Sequence, residues 1–128
     1  MFCCFIIREK VFSVINIYRV IFIVLILLIS YLAIIPFSTS SIDVPHLDKL
    51  LHFLAFFVLM TFLDLSTTRP IEVHLGLILC LLLYALAIEV IQYTLPYRSA
   101  DLYDIFADCL GMLVYFVFIP RIKKEIKI

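Results

Sequence analysis

Tryptophan is absent from this 128-residue chain, glycine occurs only twice, and charged residues make up just 16%. Average globular usage is about 25% charged and about 45–50% apolar. A sequence that is 66% hydrophobic and so poor in charge is excluded from the soluble globular and disordered classes. Neither sign of charge is in excess, because lysine plus arginine equals aspartate plus glutamate. Nucleic acid is therefore not expected as a partner, and an acidic substrate is not suggested. Cysteine is sparse and unpatterned: Cys3, Cys4, Cys80 and Cys109 form neither a zinc spacing nor a disulfide framework. In apolar runs such residues act as small hydrophobes. HExxH, a nucleophile elbow and a glycine-rich loop are also missing, so no familiar enzyme motif is present.

Apolar runs fill the chain instead. A hydrocarbon core about 30 Å thick takes about 20 helical residues. The first run, Val20 to Ile35, is extended upstream by Ile15 to Tyr18 and ends at Pro36. The second covers Phe53 to Leu63. The third, Val73 to Leu95, is interrupted only by His74, Glu89 and Gln92. The fourth runs from Cys109 to Ile119 and stops at Pro120. Runs two and four are short, but their polar flanks, Asp48 to His52 and Asp101 to Asp108, have helical spacing. Unpaired backbone groups in lipid cost several kcal/mol each, so a helix continues until it reaches water. The expectation is an all-α polytopic membrane protein: one domain, residues 1–128, with helices at roughly 17–35, 48–64, 72–95 and 102–119.

Orientation follows from the basic residues. With the N-terminus in the cytoplasm, inner segments hold Arg8, Lys10, Arg19, Arg69, Arg121, Lys123, Lys124 and Lys127. The outer ones hold only Lys49 and Arg98. This positive-inside bias predicts a bundle of four transmembrane helices with both termini cytoplasmic.

Under that topology the polar residues collect on the outer side. Asp48, Lys49 and His52 open helix two, with Asp48 and His52 one turn apart on one face. Glu89 and Gln92 share a side of helix three. Asp101, Asp104 and Asp108 form a stripe on helix four that Gly111 and Tyr115 continue inward. Glu89 and Asp108 lie roughly 10 Å below the turn at Pro96–Ser99, counting 1.5 Å per residue. Groups at that depth cost a few kcal/mol each and should face the bundle interior. Gly111 would let another helix backbone approach closely. The expected result is an outward-facing polar pocket lined by Asp48, Lys49, His52, Glu89, Gln92, Arg98, Asp101, Asp104 and Asp108.

Even with His46 and His52 protonated, outer acids, including Asp43, exceed outer bases by two. Either a carboxyl, Glu89 first, keeps its proton, or something cationic binds. A metal set of His52, Glu89, Asp104 and Asp108 lacks ligand-pair spacing, so neither a metal nor another cofactor is expected. Structural ion pairs gluing the bundle are the plainer reading of these residues. Intramembrane hydrogen bonds average only about 0.6 kcal/mol, a small return for burying so many groups. His74 reads as an interfacial side chain, Asp64 and Arg69 as ordinary loop charges, and Phe53, Phe56, Phe57 and Phe62 as packing or lipid contact.

"DKLLHFLAFF" (Asp48–Phe57) and "EVIQYTLPYRSADLYDIFADCLG" (Glu89–Gly111) together resemble the VanZ-like family of small bacterial membrane proteins. The family pattern is D-K-x-x-H-F, then E-x-x-Q, an Arg, and D-x-x-x-N with a Gly shortly after. Asp48, Lys49, His52, Phe53, Glu89, Gln92, Arg98, Asp104 and Gly111 fill it. Asp108 departs from it by standing where the Asn falls, and Tyr115 replaces a second small residue. The resemblance covers residues 48–111 and implies a cell-envelope protein of the bacterial cytoplasmic membrane. It also implies a family link to resistance to the glycopeptide antibiotic teicoplanin.

Three functions fit. In the first, the pocket binds the headgroup of a membrane lipid or a lipid-linked cell-wall intermediate, with Arg98 clamping a phosphate or carboxylate. In the second, His52 and Asp48 act as an acid–base pair of a hydrolase, with Glu89 or Asp108 as the second group. In the third, the acids relay protons in a carrier, which four short helices would form by oligomerising.

Overall fold

In the computed structural model, the backbone is described for residues 2–36, 46–69, 71–98 and 101–126, and side chains for residues 12–36, 46–69, 71–98 and 101–119. The side chains of Cys3, Cys4, Arg8, Lys10, Asp43, Arg121, Lys123, Lys124 and Lys127 lie outside these residues. The described chain is helical, without strands: α1 Phe2–Ile34, α2 Leu47–Leu65, a 3-10 turn Ile71–Val73, α3 Leu75–Thr94 and α4 Leu102–Ile126.

Among the described residues, three helices are long and apolar enough to cross a bilayer, over Phe12–Ile34, Leu75–Thr94 and Leu102–Ile119. Their outer faces carry exposed large hydrophobes, among them Ile23 and Leu27 of α1, Leu83 and Val90 of α3, and Leu113 and Phe118 of α4. Such faces suit acyl chains rather than water. This is a membrane protein. Cys80 and Cys109 are exposed among these hydrophobes.

α2 is the exception and the centre. It carries Asp48, Lys49 and Asp64, and it packs against α4 along one side and α1 along another. Its stripe of Phe56, Leu59, Met60 and Leu63 meets Ile71, Leu81, Ala85, Ile88, Met112 and Tyr115 in the core. α4 presents Asp104, Asp108, Gly111 and Tyr115, all buried, as one face. Helical periodicity puts those residues within one stripe, and that stripe lies against α2.

Element limits differ from the sequence expectation in three places. α1 starts well before residue 17, because hydropathy marks the apolar stretch and not the helix that extends from it. The start of the third segment is split: Ile71–Val73 forms a 3-10 turn and α3 begins only at Leu75. The Asp64 carboxylate accepts the Ile71 N–H at 3.0 Å and fixes that turn separately. α4 does not stop at Pro120 but continues to Ile126. Proline forfeits one backbone bond to the preceding turn, a loss that helices of this kind tolerate.

The end of α1 is capped by the last turn of α3 and the loop that follows it. A helix leaves its last four carbonyls without intrahelical donors. Here the Tyr31 carbonyl accepts from Ile35 N–H at 3.1 Å, just past the helix. Leu32 accepts from Arg98 Nη2 at 2.9 Å, Ala33 from Gln92 Nε2 at 3.3 Å, and Ile34 from the Tyr97 hydroxyl at 2.7 Å. Lower down, Ser30 donates to the Tyr84 hydroxyl at 2.8 Å, which donates its own proton to the Ile26 carbonyl at 3.0 Å. Midway along α1, Arg19 Nε donates to the Ser66 carbonyl at 3.1 Å. These bonds lock α1 to the rest of the bundle.

Candidate functional site

The site is assembled from α2, α3 and α4. His46, in the left-handed conformation at φ 64°, turns the chain into α2 without a side-chain cap. Asp48, Lys49 and His52 then fall within its first two turns. Asp48 is exposed, Lys49 and His52 partly buried. From α4 come Asp104 and Asp108, 1% and 0% exposed, and from α3 comes Glu89, 6% exposed. The cluster therefore runs from an open rim at Asp48 and Asp101 down to a closed floor at Asp108.

His52 is the hub. Its Nδ1 stands 3.0 Å from Asp108 Oδ1, and its Nε2 stands 4.0 Å from Glu89 Oε1. With Asp108 ionised, Nδ1 carries the proton and donates it, leaving Nε2 directed at the rest of the cluster. Two buried carboxylate oxygens lack a hydrogen-bond partner among the described residues: Asp108 Oδ2 and Glu89 Oε1. A buried carboxyl oxygen without a donor is costly at such depth, so each group either keeps a proton or accepts from a donor brought into the site.

Lys49 closes the rim between helices. Its ammonium lies 2.7 Å from Asp101 Oδ2 and 3.3 Å from Asp104 Oδ1. Asp101 sits just ahead of α4, where the Lys49 ammonium, and then the Tyr103 N–H that its Oδ1 accepts at 3.1 Å, hold its carboxyl below the usual range. Lys49 Nζ also lies 5.8 Å from the centre of the Tyr103 ring. Asp48, His52 and Asp104 each offer one ligand atom, and these atoms all lie within 4.8 Å of one another. Counted formally, Asp48, Glu89, Asp101, Asp104 and Asp108 face Lys49, Arg98 and His52, so acid stays in excess.

The residues named from sequence thus divide. Asp48, Lys49, His52, Glu89, Asp101, Asp104 and Asp108 come together. Gln92, buried, turns its amide to α1 instead. Arg98 sits between the two roles: Nη2 caps α1, Nη1 lies 3.7 Å from Asp48 Oδ1, and its buried Nε has no hydrogen-bond partner among the described residues. Asp101 and Asp104 are both reached by Lys49 rather than by Arg98.

One polar group was misjudged. Asp64 is no loop charge but is buried at the far end of α2, where the Tyr115 hydroxyl donates to its Oδ2. The signal was available, because Asp64 continues the Phe56 and Met60 stripe at four-residue steps.

The chain matches the family model described as VanZ/LLP1 over residues 8–123. An uncharacterised protein of the yeast Schizosaccharomyces pombe, C11E3.10, is 37% identical to it over 111 residues. That alignment takes in 84% of this chain and 60% of the yeast protein, so the chain spans less than two thirds of the length of this relative. No solved structure matches. The matched region contains every residue of the cluster, from Asp48 to Asp108, and the chain belongs to the VanZ-like family.

Proposed function

We propose that the cluster is a binding site for the polar headgroup of a membrane lipid or a lipid-linked cell-wall intermediate, open to the outer face of the membrane. All four helices cross the bilayer in this reading, with both termini cytoplasmic. The excess of lysine and arginine in the inner segments supports that orientation. α2 crosses despite its charges because its polar residues face other helices rather than lipid.

One observation carries the proposal. Side chains from three helices converge on His52, and the buried oxygens Asp108 Oδ2 and Glu89 Oε1 are left without partners. A site used only as glue would satisfy its own groups. The excess acid is balanced either by a proton kept on a carboxyl, Glu89 first, or by positive charge that the headgroup brings to the point of contact. The relative in a yeast favours headgroups common to many membranes over one confined to bacterial walls. A place in the bacterial envelope, and the family's link to teicoplanin, are parts of the proposal that susceptibility assays address.

The test is binding of purified protein to vesicles of defined headgroup: phosphatidylethanolamine, phosphatidylglycerol and a polyprenyl-diphosphate lipid, each against phosphatidylcholine. Headgroup-selective binding that Glu89→Ala with Lys49→Ala weakens is expected. Equal binding to all four, or affinity untouched by the double substitution, removes the reading.

A second reading rests on the His52–Asp108 contact at 3.0 Å. An imidazole oriented by a buried carboxylate is the core of an acid–base pair, and Glu89 is placed as the second group of a hydrolase. Asp108 rather than Asp48 would then orient the ring. Headgroup release by the purified protein, abolished by His52→Ala, would favour it over simple binding.

A further inference from the structure

We propose that Asp48 and His52 of α2 and Asp104 of α4 bind a divalent transition-metal cation at the open end of the cluster, with Asp108 orienting the imidazole. The inference shares its location with the headgroup site but stands without it. Asp48 and His52 lie one helical turn apart, and α4 brings Asp104 against them, so three ligand atoms gather within 4.8 Å. The set shares His52 and Asp104 with the one weighed from sequence, and the helix packing brings in Asp48 instead of Glu89 and Asp108.

Two acids and an imidazole would not by themselves make a site. The independent observation is the pair of orphaned oxygens beneath them. Glu89 and Asp108 are 6% and 0% exposed, and each keeps one oxygen without a hydrogen-bond partner while facing His52. Lys49 is already engaged with Asp101 and Asp104, and Arg98 is drawn toward the α1 carbonyls. Among the described residues His52 is the basic group that meets both Glu89 and Asp108. A doubly charged ion beside it supplies the positive charge that the protein withholds.

The donor set also selects the ion. A metal-bound histidine characteristically gives its other ring N–H to a carboxylate, the relation in which Asp108 stands to His52. One imidazole nitrogen and two carboxylates suit zinc or manganese, whereas magnesium and calcium favour oxygen alone. Ligand bonds to zinc of about 2.0–2.2 Å require the three atoms to draw inward. Asp48, exposed on the first turn of α2, has room to turn.

The experiment titrates Zn²⁺, with Mg²⁺ as competitor, into the full chain, stripped with chelator and held in detergent without added phospholipid. Saturable binding of one ion per chain is expected, resistant to excess Mg²⁺. Asp48→Asn and His52→Ala should each weaken it at least tenfold, while Glu72→Gln, at an exposed position outside the cluster, should not. With Cu²⁺ as the spectroscopic probe, pulsed electron paramagnetic resonance should show imidazole nitrogen coupling that His52→Ala abolishes. Should His52→Ala fail to fold, Asp48→Asn, at an exposed position, still decides. Absence of saturable binding by the unmodified chain, or binding that Asp48→Asn leaves unchanged, overturns the proposal. Because no phospholipid is added, vesicle binding can fail while the ion binds, and the reverse.

Discussion

The Cβ that Gly111 lacks would fall 2.3 Å from the Phe53 carbonyl oxygen and 3.0 Å from the Phe57 nitrogen. Both are backbone atoms of α2, so no side chain can move aside to make room. α4 therefore rides directly on α2 one turn below Asp108, which sets the depth at which Asp108 reaches His52.

Gly111→Ala is expected to push the two helices apart and destabilise the bundle by about 1–3 kcal/mol, the usual cost of overpacking. Thermal unfolding in detergent measures it. Gly76→Ala is the control: a Cβ there meets nothing within 4 Å, so that variant should be neutral or slightly more stable. Equal melting temperatures for the two variants would contradict the close helix crossing.

Tyr115→Phe removes the hydroxyl that donates to Asp64. A buried carboxylate deprived of a donor costs about 1–3 kcal/mol. Asp64→Ala should cost more, since it also strips the Ile71 N–H of its acceptor. Chemical denaturation of the two variants checks the order, and a milder effect for Asp64→Ala would show that the carboxylate does not anchor the 3-10 turn.

Arg98→Ala leaves the Leu32 carbonyl without its donor and weakens the cap on α1. Faster amide hydrogen exchange is expected in the last turn of α1, with little change in the middle of α2. Exchange measured by mass spectrometry decides. Unchanged protection of Leu32 to Ile35 would mean that Arg98 serves the cluster alone.

Acid should loosen the rim. The Lys49 ammonium holds the Asp101 carboxyl below its ordinary value, and a carboxyl so depressed adds stability that is fully present above its unfolded pKa. That contribution disappears as pH falls below about 4, through the lowered folded value. Asp101→Asn should therefore flatten the decline of melting temperature between neutral and strongly acidic pH. A decline identical to that of the unmodified chain would show that the Lys49–Asp101 contact carries no linkage.

Much of this was legible in the letters. Helical spacing put Asp104, Asp108, Gly111 and Tyr115 on one stripe, and the cost of burying acids turned that stripe toward neighbours. What spacing cannot supply is which neighbour. Gln92 shares a side of α3 with Glu89, yet it reaches Ala33 of α1 while Glu89 reaches toward His52, because α3 sits between two partners. Lys49 rather than Arg98 serves Asp101 and Asp104 because the chain end of α1 claims the guanidinium. Asp64 was missed for a simpler reason: its position near a polar loop outweighed the apolar stripe it continues.

The most direct measurement is solid-state magnetic resonance on the protein in lipid bilayers, labelled at the His52 imidazole nitrogens and the Asp108 carboxyl carbon. The account predicts a strong dipolar contact between His52 Nδ1 and the Asp108 carboxyl, in line with their 3.0 Å approach. Absence of that contact, with either side chain instead touching acyl-chain protons, would contradict it.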